Sequence, residues 1–174
     1  MDTTLLSIVI AVLGIFSSTV VGILAYNLSK QSQRATNQKA IGDLYSEMMD
    51  FRVEHPEVMK LSNGWNEHCF TMIYRQSTKT ERQWAIYYTY VELCLNFCNT
   101  VLYGYKTRAL DDIAYKRHYE PLVRLILTEH YPFISNALDG SYLSNLIREY
   151  ILSVEKNGWN WLVKRKALIG VNSG

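Results

Sequence analysis

The chain has 174 residues, 48% of them hydrophobic, with 18 Lys and Arg against 16 Asp and Glu for a net charge of +2. That balance, one unit higher once Asp2 is set aside, is too small for a dedicated phosphate-binding face and argues against nucleic acid as a partner. Three cysteines, an odd number, do not make a disulfide framework.

The first element is an uncharged, mostly apolar run from Leu5 to Tyr26. As a helix it spans about 33 Å, which matches a hydrocarbon core of roughly 30 Å, so a single-pass transmembrane helix is expected. A cleavable signal peptide is the rival reading. Against it, Met1-Asp2-Thr3-Thr4 has no cation, the run exceeds the usual core of about 7–15 residues, and Ala25-Tyr26-Asn27 is a poor cleavage site. Lys30, Arg34 and Lys39 follow the run, so the positive-inside rule predicts an outside N-terminus and a cytoplasmic segment 29–174. Cys94 and Cys98 fall on apolar sequence, as reduced, packed thiols do, and Cys69 has no obvious mate.

Within the run, Ser7, Ala11, Gly14, Ser18, Gly22 and Ala25 recur at spacings of three and four and share one helix face. In lipid, close backbone approach along small residues drives helix association, so this stripe is a candidate packing face for a second copy or another membrane protein. Residues 27–39 are polar without Pro or Gly, either a flexible tether or a helical stalk; the next segment favours the stalk. Ile41, Leu44, Tyr45, Met48 and Phe51 form an amphipathic helix that Pro56 stops. Pro56 also suits the start of a short helix closing at Asn63-Gly64.

Thr78-Lys79-Thr80-Glu81 fits a capping box opening a helix from Lys79 to Tyr103. That helix is apolar on nearly every side, which predicts the buried centre of a bundle in preference to a second membrane span, given Glu92, Asn96 and Asn99 in its middle. Leu110 to Tyr131 reads as a helix with Asp111 and Asp112 in its first turn; Pro121 separates a more polar first part from an apolar second part (Leu122, Val123, Leu125 and Ile126), and Pro132 ends it. Phe133 to Leu138 is a short helical turn before Asp139-Gly140. Leu143, Leu146, Ile147, Tyr150, Ile151 and Val154 then define a one-sided helix closing at Asn157-Gly158. The expected fold is all-α: a transmembrane anchor (1–28), a polar stalk (29–39), a cytoplasmic helical bundle (40–157) and a Trp-rich basic tail (158–174). In that tail Trp159, Trp161, Lys164, Arg165 and Lys166 suit either an anionic membrane surface or packing against the bundle.

Signals of chemistry are sparse. Thr89, Glu92, Asn96 and Asn99 draw a polar line along the central helix, either a pocket wall or its wet side. His68-Cys69 with Cys94 and Cys98 lacks zinc-site spacing, and Arg117-His118-Tyr119-Glu120 reads as an ordinary solvated helix face. No phosphate loop or nucleophile elbow is present, so no catalytic, cofactor or metal residue is assigned.

The order of a membrane helix, an amphipathic helix, Glu54-His55-Pro56-Glu57-Val58, and an aromatic helix holding Tyr90-Val91-Glu92 and Asn96 and closing near Tyr103-Gly104 resembles a family of uncharacterised bacterial proteins. These are single-pass, membrane-anchored and all-helical. The resemblance covers about residues 1–135 and not the Trp-basic tail. It implies a bacterial inner-membrane location and brings no activity. The expected function is a non-enzymatic, membrane-anchored interaction module that self-assembles or joins a larger membrane complex. The alternatives are an effector or enzyme with a pocket along the central helix, and an accessory subunit of a large membrane complex. Membrane lipid and a second copy or another membrane protein are the expected partners.

Overall fold

The computed structural model describes residues 3–56, 58, 78–137 and 143–168, with side chains over 12–56, 58, 85–135 and 143–165. Every regular element among them is helical. The helices are α1 (Thr3–Glu54), α2 (Thr78–Lys106), α3 (Asp112–Ala114), α4 (Glu120–Glu129), α5 (Tyr131–Ala137), α6 (Asn145–Lys156) and α7 (Trp161–Leu168), with a π-helical turn at Tyr115–Tyr119 joining α3 to α4.

α1 is one uninterrupted helix of 52 residues, about 78 Å long. The polar segment 27–39 holds no Pro or Gly to break the hydrogen-bond ladder, so the stalk is helical and continuous with the apolar run. The helix stops at Glu54 because Pro56 excludes helical geometry from the residue before it; His55 N closes the last turn on Phe51 O at 2.9 Å. The two ends of α1 differ sharply. Ile15, Phe16, Val21 and Leu24 are all more than half exposed, whereas Ile41 and Met48 are buried in the core. The N-terminal part is long and apolar enough to cross a membrane. Asn63-Gly64 lies outside the described residues, as do Asp139-Gly140 and the pair His68-Cys69.

α2 supplies the centre of the core through Tyr87, Tyr90, Val91, Cys94, Phe97, Cys98 and Val101, all at most 2% exposed. It begins at Thr78, where the capping box places it, and runs to Lys106, three residues past the expected end. It lies antiparallel to the second half of α1. Phe51 stacks on Tyr90, Cys94 Sγ lies 3.4 Å from Met48 Sδ, and Tyr45 leans on Phe97. At Gly104 a Cβ would fall 2.9 Å from Asn37 Cγ, so the absence of a side chain there lets the two helices close on each other.

The next helical stretch runs through Pro121, as the sequence leads one to expect. In α geometry its missing amide would leave Arg117 O unpaired and its ring would press on that carbonyl. The backbone widens to a π turn instead, with Glu120 N donating to Tyr115 O, and the helix continues through the proline. Asp111 serves as the N-cap, its Oδ1 accepting from Ala114 N at 2.8 Å. Pro132 sits in the first turn of α5, where a missing amide costs nothing, so it opens that helix as well as limiting α4.

α6 starts on a Ser144 cap whose Oγ accepts from Ile147 N and buries Ile147, Ile151 and Val154. It ends in a Schellman motif: Gly158 takes φ +84°, Gly158 N donates to Glu155 O and Trp159 N donates to Val154 O. This reversal turns the tail back onto the bundle as α7. A Cβ at Gly158 meets nothing within 4 Å, so its cost is purely conformational. Gly158→Val is therefore expected to destabilise the protein by about 1–2 kcal/mol, seen as a lower Tm, with no change in the α1–α2 packing; an unchanged Tm means the left-handed turn is dispensable.

Candidate functional site

The C-terminal segment builds the most chemically varied surface among the described residues. α7 is capped by Asn160, whose Oδ1 accepts from Val163 N at 3.0 Å, and it packs on α4 and α5. Trp161 is 2% exposed and stacks on Tyr131 at 5.7 Å between ring centroids, while Trp159 meets it edge-on at 5.9 Å. Arg165 is also buried, its Nε donating to Glu129 O at 3.0 Å and finishing the C-terminal end of α4. Trp161 and Arg165 are thus committed to the bundle. The exposed face of α7 carries Leu162, Val163 and Lys164, and the side chain of Lys166 lies outside those described.

Trp159 is half-buried and has two cations over its ring, Arg124 Cζ at 5.1 Å and Lys164 Nζ at 5.2 Å. Arg124 is fixed from two sides: Nη2 pairs with Glu120 Oε1 at 2.5 Å, and Nε donates to the Tyr150 hydroxyl at 3.2 Å. These contacts raise its pKa further, although burial alone pulls the other way. Beside them opens a groove of ≈ 560 Å³ lined by Glu120, Pro121, Arg124, Leu125, Thr128, Trp159 and Lys164. Its size matches ligand sites, and its mixture of an indole face, aliphatic walls and one uncompensated lysine suits an apolar segment that carries an anionic group. The sequence reading missed Arg124 and this groove: the i,i+4 spacing of Glu120 and Arg124 points to an ion pair, not to a site, and nothing in the pattern ties it to Trp159.

A second polar centre lies in the core. Tyr87 Oη and His130 Nδ1 are 2.8 Å apart, both residues at most 1% exposed. Tyr90, Tyr87 and the imidazole pack edge to face. Burial, then the charges of Arg165 and Arg52, push the His130 pKa down to about 3, so the ring is neutral at physiological pH. The same burial pushes the Tyr87 hydroxyl up, and it holds the Cys94 thiol at about 12, un-ionised. Neutral thiols and a neutral imidazole sealed from solvent are packing groups here, not nucleophile and base. His130 gave no periodic or motif signal in the sequence.

The polar line of the central helix divides. Thr89, Glu92 and Asn96 are exposed, and Thr89 Oγ1 donates to Ala85 O within its own helix. Asn99 is half-buried, with its Oδ1 unpaired among the described residues. Along the apolar half of α1, Gly14, Ser18, Gly22 and Ala25 lie on exposed surface, while the side chains of Ser7 and Ala11 lie outside those described. Ser18 Oγ donates to Ile15 O at 2.9 Å, so its polarity is satisfied inside the helix. Among the described residues no three His, Cys, Asp or Glu side chains converge as a metal site. No family model, curated protein or solved structure matches the chain, so a functional reading rests on its own chemistry.

Two measurements check this description. His130 has a folded pKa below its unfolded value of 6.5, so the unfolded state binds the extra proton and stability falls as pH drops from about 6.5 towards 3. The slope for one such group is up to about 1.4 kcal/mol per pH unit, and His130→Gln flattens it in urea titrations. Glu92→Gln and Asn96→Leu, at exposed positions, each change stability by less than about 0.5 kcal/mol; strong coupling between them in a double-mutant cycle would mean the line is a buried network.

Proposed function

We propose that this protein is a membrane-tethered helical interaction module. Its N-terminus lies outside, α1 crosses the bilayer, and the bundle stands in the cytoplasm, in keeping with Lys30, Arg34 and Lys39 on that flank. The Gly14–Ser18–Gly22 face joins a second copy or a partner span, and the groove beside Trp159 receives a cytoplasmic segment. The observation that carries this reading is the single helix α1, whose described apolar side chains from Val12 to Leu28 are exposed while its second half is built into the bundle core. A core helix of a water-soluble domain would bury the first half as well. An accessory subunit of a larger membrane complex differs only in the identity of the neighbour.

The test exploits the open space around the glycines: a Cβ at Gly14 or Gly22 meets nothing within 4 Å. Gly14→Leu, Ser18→Leu and Gly22→Leu together therefore leave the monomer intact but hold helix backbones apart. Association in a membrane two-hybrid assay is expected to fall on the order of tenfold, about 1.4 kcal/mol. Unchanged association moves the contact to the bundle. A reporter fused after Gly174 is expected to be active in the cytoplasm, and activity on the other side reverses the orientation.

A further inference from the structure

α2 returns along α1 one residue down for each residue up: Phe51 meets Tyr90, Met48 meets Cys94, Tyr45 meets Phe97, and Asn37 meets Gly104. Continued by the same step, Lys106 and Thr107 stand level with Ala35 and Arg34. The turn after α2 stays at this end of the bundle, since Leu110 N donates to Gly104 O at 2.9 Å. The π turn is here too, because Tyr115 stacks on Tyr105 at 3.8 Å. Leu28 is exposed at the end of the apolar half, and from Leu28 to Arg34 the helix rises about 9 Å. The headgroup layer of one leaflet is roughly 5–7 Å deep. The α2–α3 corner therefore stands at the outer edge of that layer, within reach of long cationic side chains.

The surface of the corner fits that position. Ile113 and Tyr103 are 71% and 54% exposed. Around them Lys106, Arg108, Lys116 and Arg117 are exposed, and the adjoining stalk adds Lys30, Arg34 and Lys39 with no acid between Asn27 and Gly42. Of the nearby acids, Asp111 caps α3 and Glu149 lies 3.5 Å from Lys106, in a pair more than 60% exposed on both sides and so weakly held. Asp112 is the remaining exposed carboxylate of the corner. Cations flanking an exposed isoleucine and tyrosine match an anionic lipid surface, where charges meet headgroups and the ring sits at the interface.

We infer that the α2–α3 corner is a second membrane contact, seated on the anionic headgroups of the leaflet that α1 leaves, so that the bundle stands on the bilayer. This rests on the reading of α1 as an anchor. Trp161 and Arg165 belong to the opposite end, near His130 and Phe51, about 35 Å along α1 from Leu28, so the corner and not α7 faces the lipid.

The experiment uses the full chain in phosphatidylcholine–phosphatidylglycerol vesicles, with Cys69→Ser and the buried Cys94 and Cys98 retained. A nitroxide is placed at Ile113→Cys, Val53→Cys or Ile23→Cys, and its relaxation by a headgroup-bound nickel chelate and by oxygen is measured. The label at 113 is expected to feel the nickel strongly and the label at 53 weakly. The rigid body of α1 and the bundle can still tilt in the bilayer. Each charge removed by Arg108→Asn, Lys116→Gln or Arg117→Gln lowers the ratio of the tilt that seats the corner to the tilt that lifts it by about fivefold. Salt at 1 M, where the screening length is about 3 Å, does the same for all of them together. A label at 113 as remote from nickel as that at 53, or one indifferent to these charges, overturns the corner contact while leaving the anchor intact. A label at 23 without the oxygen exposure of lipid overturns the anchor reading and this inference with it.

Discussion

The antiparallel contact between the second half of α1 and α2 is the constraint on which everything else depends. It takes its closeness from Gly104 and its apolar content from Ile41, Met48, Tyr90, Cys94 and Phe97. Because the same α1 continues without a break towards the N-terminus, packing α2 against it fixes the bundle relative to the apolar segment as well. A flexible tether would have left the two parts independent. Here the hydrophobic burial that folds the domain also sets its distance from the apolar segment, and a side chain such as Met48, worth about 1.5–3 kcal/mol when buried, helps hold that geometry.

The end of the bundle away from the apolar half of α1 is closed by different means. The left-handed Gly158 sends the chain back, Trp161 fills the gap beside Tyr131, and Arg165 finishes α4 through the Glu129 carbonyl. A buried guanidinium near a buried imidazole is tolerable because the imidazole carries no charge; burial and that very cation keep it neutral. Tyr87 in turn satisfies one ring nitrogen. The aromatic and cationic residues that looked like surface chemistry in the tail are therefore shared, some closing the core and others, notably Trp159 and Lys164, framing a groove.

Where a local rule acts alone, the fold was legible from the chain. The three-and-four spacing from Ile41 to Phe51 marked the core face of α1, Pro56 its end, Asn157-Gly158 the close of α6, and the apolar girth of α2 its central place. One helix running through Pro121 was legible from the chain, but not the π turn at Tyr115–Tyr119, a backbone widened by one residue that absorbs the proline. The groove was not legible at all, since it joins Glu120 and Arg124 to Trp159 and Lys164 across a reversal set by one glycine. Pairings between distant segments are set by packing, and no periodicity within one segment encodes them. The candidate polar line on α2 was equally undecidable from spacing, because an exposed stripe and a lined pocket share the same period.

An unbroken helix also transmits rotation. At about 100° per residue, the face of α1 that carries Gly14, Ser18 and Gly22 points about 130° away, around the helix axis, from the face that carries Ile41 and Met48. Two anchors pressed together along the first face would hold their bundles out to the sides, clear of each other, with no steric conflict to relieve. One residue inserted anywhere between the two faces would lift the bundle by about 1.5 Å and swing it through about 100°, carrying it towards or away from the neighbouring copy. The length of the stalk is thus an azimuth as much as a distance, and its phase decides which side of the bundle a neighbour packed along the apolar half could approach.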